Sequence, residues 1–371
     1  MMKNFTRYTL LSFFCFSLLF SCKEEDDSPM TPIVEEPAPE YDPSPYELDW
    51  GYFPDPKLPE DNPLTVAGVA LGRMLFYEKK LSADGTQSCA GCHQQATGFS
   101  DERQFSIGVA GLPGTRQAMP LINLSWHRNG FFWDARAASL REQALFPIQD
   151  PLEMNETLDR VVSKLQADKK YRDQFVRAFG DEAITPARIG RAIEQFELTL
   201  ISTHSKYDRW LMGEVELTAS EERGRVLFFT EYDPTGLVGG AECLHCHSGF
   251  NFTNDLYMNN GLDAAANQLD KGLMASTGKA EDRAKFKTPT LRNIALTAPY
   301  MHDGRFATLE AAIEHYNTGT IDSPTIDPRM QSNLQPGGLG LSPQDIADLV
   351  AFLHTLTDEA FLSNPAFSAP E

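Results

Sequence analysis

The amino-acid sequence predicts an all-α protein built from two tandem halves of similar design. A Cys-x-x-Cys-His pentapeptide occurs twice, starting at positions 89 and 243. Each copy is followed at a distance by a segment whose apolar residues recur at helical spacing. Runs that alternate between apolar and polar residues, as strands do, are scarce, and the loops rich in Gly, Pro and Asn are long. The 371 residues, 42% of them hydrophobic, suffice for a sizeable core.

The two pentapeptides have the spacing by which haem is attached covalently to proteins. They are Cys89-Ala90-Gly91-Cys92-His93 and Cys243-Leu244-His245-Cys246-His247. Two thiols at this spacing add across the vinyl groups of one porphyrin, and the adjacent imidazole ligates the iron. His93 and His247 are therefore the predicted proximal ligands of two c-type haems. A zinc site would want further Cys or His at matching spacing, and a redox dithiol would need neither the His nor a second copy.

Each half also contains an amphipathic helix of the kind that closes a cytochrome c domain. The helices are predicted to begin at Thr185-Pro186 and at Ser342-Pro343. Their apolar stripes are Ile189, Ile193, Phe196 and Leu200 in the first half, and Ile346, Leu349, Val350 and Leu353 in the second. The prediction is two tandem cytochrome c domains, residues 60–205 and 206–365, each with one haem c buried near their interface.

The N-terminus predicts an export signal. Lys3 and Arg7 give a positive start, and the apolar run from Tyr8 to Phe20 is too short for a typical membrane span. We therefore expect a cleaved signal peptide over residues 1–21.

The segment that follows predicts a lipid anchor and a tether. Residues 18–22, Leu-Leu-Phe-Ser-Cys, resemble the lipobox of bacterial lipoproteins, in which Cys22 would become the lipidated first residue. Residues 22–59 are acidic and rich in Pro, with few large apolar residues, which favours an extended tether. The protein is thus expected in the periplasm or cell envelope, attached to a bacterial membrane by lipid.

The chain is acidic, with a formal net charge of −20. This charge makes nucleic acid an unsuitable partner. It would favour an electron-donor protein with a basic face, although acidity also serves solubility alone, and both interpretations stay open.

Three further blocks resemble a known family. They are Phe132-Trp133-Asp134-Ala135-Arg136-Ala137; Glu142-Gln143-Ala144-Leu145 with Pro147 and Glu153-Met154; and Thr288-Pro289-Thr290-Leu291-Arg292-Asn293 running into Thr297-Ala298-Pro299-Tyr300-Met301-His302-Asp303-Gly304. With these blocks and the paired haem motifs, most of residues 60–360 resembles the bacterial diheme cytochrome c peroxidases. That family includes a MauG-like branch that oxidises tryptophans on a partner protein.

The resemblance implies that the first haem is the peroxide site. Gln143 and Glu153 match the Gln and Glu that line its open face in the family, where Gln143 would orient peroxide. Glu153 would carry a proton from the inner to the outer peroxide oxygen, which a raised pKa in an apolar pocket permits. Trp133 matches the family tryptophan that passes an electron or hole between the haems. From the residues alone, a core Trp, a helix-surface Gln and a solvated Glu remain alternatives.

The distal ligand of the second haem separates the two branches. Conventional members place a Met fourteen residues after the His of a Pro-Tyr-x-His block, and counted from His302 this position is Tyr316. Tyrosine is the ligand in the MauG-like branch, and it lowers the reduction potential that Met would raise. The alternative is that Tyr316 packs at a helix end while Met301 or Met330 ligates the iron.

Two other family features are altered. Conventional members hold a resting distal His sixteen residues beyond the motif His; that position is Val109 here, so we expect the first iron to be open at rest. His127 is the nearest His in sequence, but its setting resembles a structural block of the family. An interdomain calcium ion is usual, bound by an Asn side chain and by carbonyls matching Thr297 and Pro299. Because Gln117 occupies the Asn position, calcium binding stays open.

The sequence therefore predicts an oxidoreductase with two haem c groups that reduces H2O2 to water. Electrons would come from a small cytochrome c or cupredoxin. One alternative is a MauG-like oxidase that uses peroxide on a partner protein or another substrate. A third function, plain electron transfer, needs no open iron, Gln or Glu, so peroxide-dependent turnover separates it from the other two.

Overall fold

The computed structural model describes residues 38–233, 235 and 239–370. The expected signal peptide over residues 1–21 and the lipidation site Cys22 lie outside these residues. Within the described chain, short α-helices and one two-stranded ladder are joined by long loops, which confirms the helix-rich, strand-poor prediction. Among the described helices, none combines the length and apolar composition needed to cross a bilayer.

The helices divide between the two halves of the sequence. In the first half they are α1 (Val66–Phe76), α2 (Leu140–Gln143), α3 (Phe146–Gln149), α4 (Leu158–Gln166), α5 (Lys169–Phe179) and α6 (Pro186–Glu197). In the second half they are α7 (Lys206–Leu211), α8 (Ala219–Phe229), α9 (Met274–Thr277), α10 (Leu309–Glu314), α11 (Pro343–His354) and α12 (Glu359–Leu362). The strands β1 (Tyr257–Met258) and β2 (Phe286–Lys287) pair antiparallel, with Tyr257 opposite Lys287. A π-helical turn, His315–Gly319, continues α10.

Both predicted amphipathic helices are present and begin where expected. The Thr185 hydroxyl caps α6, and Ser342 caps α11 in a reciprocal capping box with Asp345. The predicted stripe of the first half is wholly buried, although Leu200 lies beyond the end of α6. In α11, Leu349 and Leu353 are buried, and the two other stripe residues are partly buried.

The two halves repeat one helix crossing. In the first half α1 packs on α6 at Gly72, where an added Cβ would lie 1.9 Å from the carbonyl oxygen of Ala192. In the second half α8 packs on α11 at Gly224, where a Cβ would lie 1.8 Å from the carbonyl oxygen of Asp348. Each crossing is therefore too close for any residue but glycine. The same glycine-mediated contact packs the paired helices in both halves.

We expect Gly224→Ala to lower the free energy of unfolding by roughly 1–3 kcal/mol, because the methyl group would overlap a backbone atom that cannot rotate away. The midpoint of urea unfolding, followed by circular dichroism, measures this change. Gly239→Ala is the control, since its Cβ would meet nothing closer than Leu227 Cδ2 at 3.8 Å. Equal midpoints for the two variants would contradict the tight crossing.

The last part of the expected tether packs on the body of the protein. Phe53 is only 4% exposed, and its ring contacts Trp126 and Phe250 with centroid distances of 5.1 and 4.6 Å. The Tyr52 hydroxyl donates to Asp208 at 2.7 Å. The tether prediction therefore extended too far towards residue 59. Its acidic, Pro-rich composition concealed single aromatic side chains that anchor an extended segment.

The halves are joined by ion pairs and by aromatic packing. Arg116 forms ion pairs with Asp134 of the first half and Asp270 of the second, both at 2.7 Å. After α11 the chain returns to the first half, where Phe361 contacts Phe99 with a centroid distance of 5.7 Å. The described residues from 39 onward thus form one compact unit. The domain limits at 205 and 206 stay a prediction.

Candidate active site

Each Cys-x-x-Cys-His motif begins with a 3-10 turn, Cys89–Gly91 in the first and Cys243–His245 in the second, and its second Cys and its final His follow that turn. The backbone N–H of His93 donates to Cys89 O, and that of His247 to Cys243 O, both at 2.9 Å. These turns place motif residues on the walls of two cavities. Cys92 and His93 line the first cavity, and Cys243, Cys246 and His247 line the second.

Both motif histidines are oriented as metal ligands. His93 Nδ1 lies 2.8 Å from Phe99 O, and His247 Nδ1 lies 3.2 Å from Phe252 O. A carbonyl can only accept, so Nδ1 carries the proton and Nε2 keeps the lone pair that binds a metal. Burial lowers the pKa of His247 to about 4 and that of His93 in the same direction, which keeps both rings neutral.

The four thiols suit thioether attachment better than a thiolate site. Burial raises the pKa of Cys243 to about 12 and that of Cys246 to about 11, and it raises the pKa of Cys89 and Cys92 as well. A reactive dithiol has a depressed pKa instead. The described residues also contain no cluster of three or more His, Cys, Asp or Glu that could hold a metal ion directly. The donor set therefore fits two covalently attached haems.

The structure brings Gln143 and Glu153 together on the wall of the first cavity. Gln143 ends α2, and Glu153 lies in the loop after α3. Neither side chain makes a hydrogen bond to another described residue, so both polar groups are free to bind a small molecule. Burial, assisted by the negative charge of Asp150 and opposed by Arg136, raises the pKa of Glu153 to about 7. The carboxyl group can therefore accept and release a proton near neutral pH.

Val109, at the position of the resting distal His, does not line the first cavity. Its backbone N–H donates to Glu153 O at 2.8 Å. The preceding Gly108 lies so close to Leu152 that a Cβ would be 2.0 Å from Leu152 O. This loop therefore supports the backbone of Glu153 and brings no ligand of its own to the cavity.

Tyr316, Met301 and Met330, the three candidate ligands of the second iron, all line the second cavity. Tyr316 lies in the π-helical turn after α10, a distortion that is frequent at functional sites. Its hydroxyl accepts a hydrogen bond from Asn260 Nδ2 at 3.0 Å and lies 4.0 Å from Met301 Sδ. Asn260 Nδ2 also donates to Met301 Sδ at 3.4 Å, so Tyr316 Oη and Met301 Sδ occupy neighbouring positions and share this donor.

Trp133 lines both cavities. The side chain is buried, and its indole N–H donates to Gln117 O at 2.8 Å. The Trp133 carbonyl accepts from the backbone N–H of Lys287, in the second half, at 3.0 Å. The indole is therefore held between the two predicted haem positions.

Calcium binding stays a prediction. The Gln117 amide nitrogen donates to Ser100 Oγ at 2.9 Å and to Asp101 O at 3.2 Å. Thr297 is buried, and Pro299 follows it closely in the chain. The amide of Gln117 is thus already engaged through its nitrogen.

Sequence reasoning missed Asn260, Arg116 and Lys287, which also line the cavities. None belongs to a motif with diagnostic spacing, and each acts through contacts that are distant in sequence. A single sequence therefore contains no local signal that would have identified them.

Comparisons with known proteins identify the family of this chain. A family model described as di-haem cytochrome c peroxidase matches residues 66–216. The methylamine utilization protein MauG of Methylorubrum extorquens is 39% identical over 303 residues, 81% of this chain and 81% of its own length. The cytochrome c551 peroxidase of Nitrosomonas europaea is 36% identical over 302 residues, again 81% of each chain. The crystal structure of a MauG-like protein associated with microbial copper homeostasis has a TM-score of 0.75 at 38% identity, covering 86% of this chain and 97% of that one. The chain therefore belongs to the di-haem cytochrome c peroxidase family and is a haem peroxidase.

Proposed function

We propose that this protein reduces H2O2 to water at the first cavity, with electrons that enter through the second cavity from a small cytochrome c or cupredoxin. One observation carries the proposal. Gln143 and Glu153 line the cavity of His93, and Trp133 lines that cavity and the next one. A plain electron carrier would need neither polar group beside its haem.

The side chains of the first cavity divide the chemistry between them. The haem held by His93 supplies, when bound, the electrons that break the O–O bond. Glu153 takes the proton from one peroxide oxygen and returns it to the other, which leaves as water. The Gln143 amide orients the peroxide for this transfer. Overall, one H2O2, two protons and two electrons give two water molecules, and the two electrons from the donor replace those given up when the O–O bond breaks.

The second cavity supports a second candidate function, a MauG-like oxidase that uses peroxide on a partner protein or another substrate. The observation that favours it is the Tyr316 hydroxyl, which lies inside the cavity and is held by Asn260 at 3.0 Å. A phenolate ligand lowers the reduction potential of the haem that His247 holds, which makes this haem a poorer electron inlet. Met301 and Met330 remain the competing ligands.

Export and lipidation complete the proposed function. We infer that residues 1–21 are removed, that Cys22 is lipidated and that the catalytic unit stays attached to a bacterial membrane from the periplasmic or envelope side. The N-terminal apolar run with its positive start supports export. Globomycin treatment, which blocks lipoprotein signal cleavage, should leave a larger precursor.

Trp133→Phe should lower donor-dependent peroxide turnover by about tenfold or more. A phenyl ring is oxidised less readily than an indole, and it loses the hydrogen bond to Gln117. Stopped-flow measurement of donor oxidation, on protein shown by haemochrome assay to hold two haems, tests this. Trp210→Phe is the control, because Trp210 stacks on Tyr207 and lines neither cavity.

Equal turnover in the wild type and Trp133→Phe would exclude the indole as the electron path. If the wild type binds two haems but reduces no peroxide with any cytochrome or cupredoxin donor, the result would instead favour a protein that only transfers electrons.

A further inference from the structure

His127 is a buried polar residue that the proposed reaction leaves unused. Its side chain is only 6% exposed, and it lines the first cavity. The Nε2 atom has no hydrogen-bond partner among the described residues. A buried nitrogen without a partner is costly, so its position calls for a group that the cavity would hold.

The other ring nitrogen is firmly anchored. His127 Nδ1 lies 3.1 Å from Asp255 Oδ1, in the second half of the chain. Asp255 Oδ2 also accepts from the backbone N–H groups of Arg128 at 2.6 Å and Asn129 at 3.0 Å. Lys287 Nζ forms an ion pair with the same carboxylate. These contacts fix the orientation of the imidazole ring. Nε2 is then the ring nitrogen that can still form a hydrogen bond.

The remaining basic groups of the first cavity are already paired. Arg116 and Arg136 both form ion pairs with Asp134, and Lys287 pairs with Asp255. A haem carries two propionate carboxylates, and a buried carboxylate requires hydrogen-bond donors. Among the described residues that line the first cavity, His93 is the proximal ligand and the other basic side chains have partners. His127 is the basic side chain whose cavity-facing nitrogen has none.

We propose that His127 Nε2–H binds a propionate carboxylate of the first haem, while Asp255 holds the ring in place. This inference rests on the proposed binding of that haem at His93. Since the Asp255 carboxylate and the propionate can both only accept, the proposed arrangement places a proton on each ring nitrogen, and the resulting positive charge offsets the negative charge of the propionate. Since an uncompensated negative charge near the iron favours Fe(III), His127 raises the reduction potential of the first haem.

Spectroelectrochemical titration of the two-haem protein tests the role of His127. In His127→Leu the reduction equilibrium constant of the first haem should fall by about tenfold, which is about 59 mV for one electron. His127→Gln keeps a donor but not the charge, so its potential should lie between those of the wild type and His127→Leu. The second haem should keep its potential in every variant. His354→Leu, at an exposed position that ends α11, should match the wild type.

An unchanged potential in His127→Leu would overturn the inference. Should that variant fail to fold or to retain haem, His127→Gln decides, and a potential equal to the wild type overturns it. A first haem that is low-spin in the wild type and high-spin in His127→Leu, seen by electron paramagnetic resonance, would show that His127 ligates the iron instead. None of these measurements uses peroxide. The role of His127 is therefore tested independently of the proposed peroxidase activity.

Discussion

Glu153→Gln should slow peroxide turnover by roughly 100-fold or more while both haem spectra stay unchanged, the scale of a lost general acid–base group. Gln has nearly the same shape as Glu but cannot take and return a proton. Steady-state oxidation of a reduced donor at saturating peroxide measures the loss. Glu102→Gln is the matched control, because Glu102 is exposed and lies outside the first cavity.

The pH dependence provides an independent measurement on Glu153. Its carboxyl group must be ionised to accept the first proton, and burial raises its pKa to about 7. The value of kcat/KM of the wild type should therefore rise as the pH increases through about 7, and this inflection should disappear in Glu153→Gln. Unchanged turnover with an unchanged pH profile would make Glu153 a bystander of the reaction.

Tyr316→Met should raise the reduction potential of the second haem, within the roughly 0.8 V span that axial ligands cover. A neutral thioether stabilises Fe(II) relative to the phenolate that it replaces. The wild type should contain one high-spin and one low-spin ferric haem without the near-infrared band of Met ligation, and Tyr316→Met should gain that band. The same variant should shorten the life of the oxidised state formed with peroxide, while peroxide still reacts at the first haem.

Met301→Leu is the control for the second haem, because Met301 Sδ lies only 4.0 Å from the Tyr316 hydroxyl. It should leave the wild-type spectrum unchanged. If the wild type shows the Met band and Met301→Leu removes it, Met301 is the ligand. That result would contradict the MauG-like function and favour the conventional peroxidase.

Local signals in the sequence were sufficient for the elements that depend on neighbouring residues. The Cys-x-x-Cys-His spacing predicted the haem-attachment residues, and both copies fold alike, with the backbone N–H of the final His donating to the carbonyl of the first Cys. The hydroxyls of Thr185 and Ser342 marked the starts of α6 and α11, because a cap acts within one helical turn. The resemblance to relatives supplied Gln143 and Glu153, which the residue pattern alone had left as candidate surface groups.

Contacts between distant segments could not be read from those signals. Hydrophobic packing is not directional, so composition could not reveal that Phe53 anchors a segment resembling a tether. The unpartnered nitrogen of His127 becomes meaningful only when Asp255, 128 positions later in the chain, fixes the other side of the ring. Likewise, Trp133 reaches both cavities only because the two halves pack together. Local spacing thus identified the haem-attachment residues, whereas long-range packing decided which side chains and charged groups lie around the two cavities.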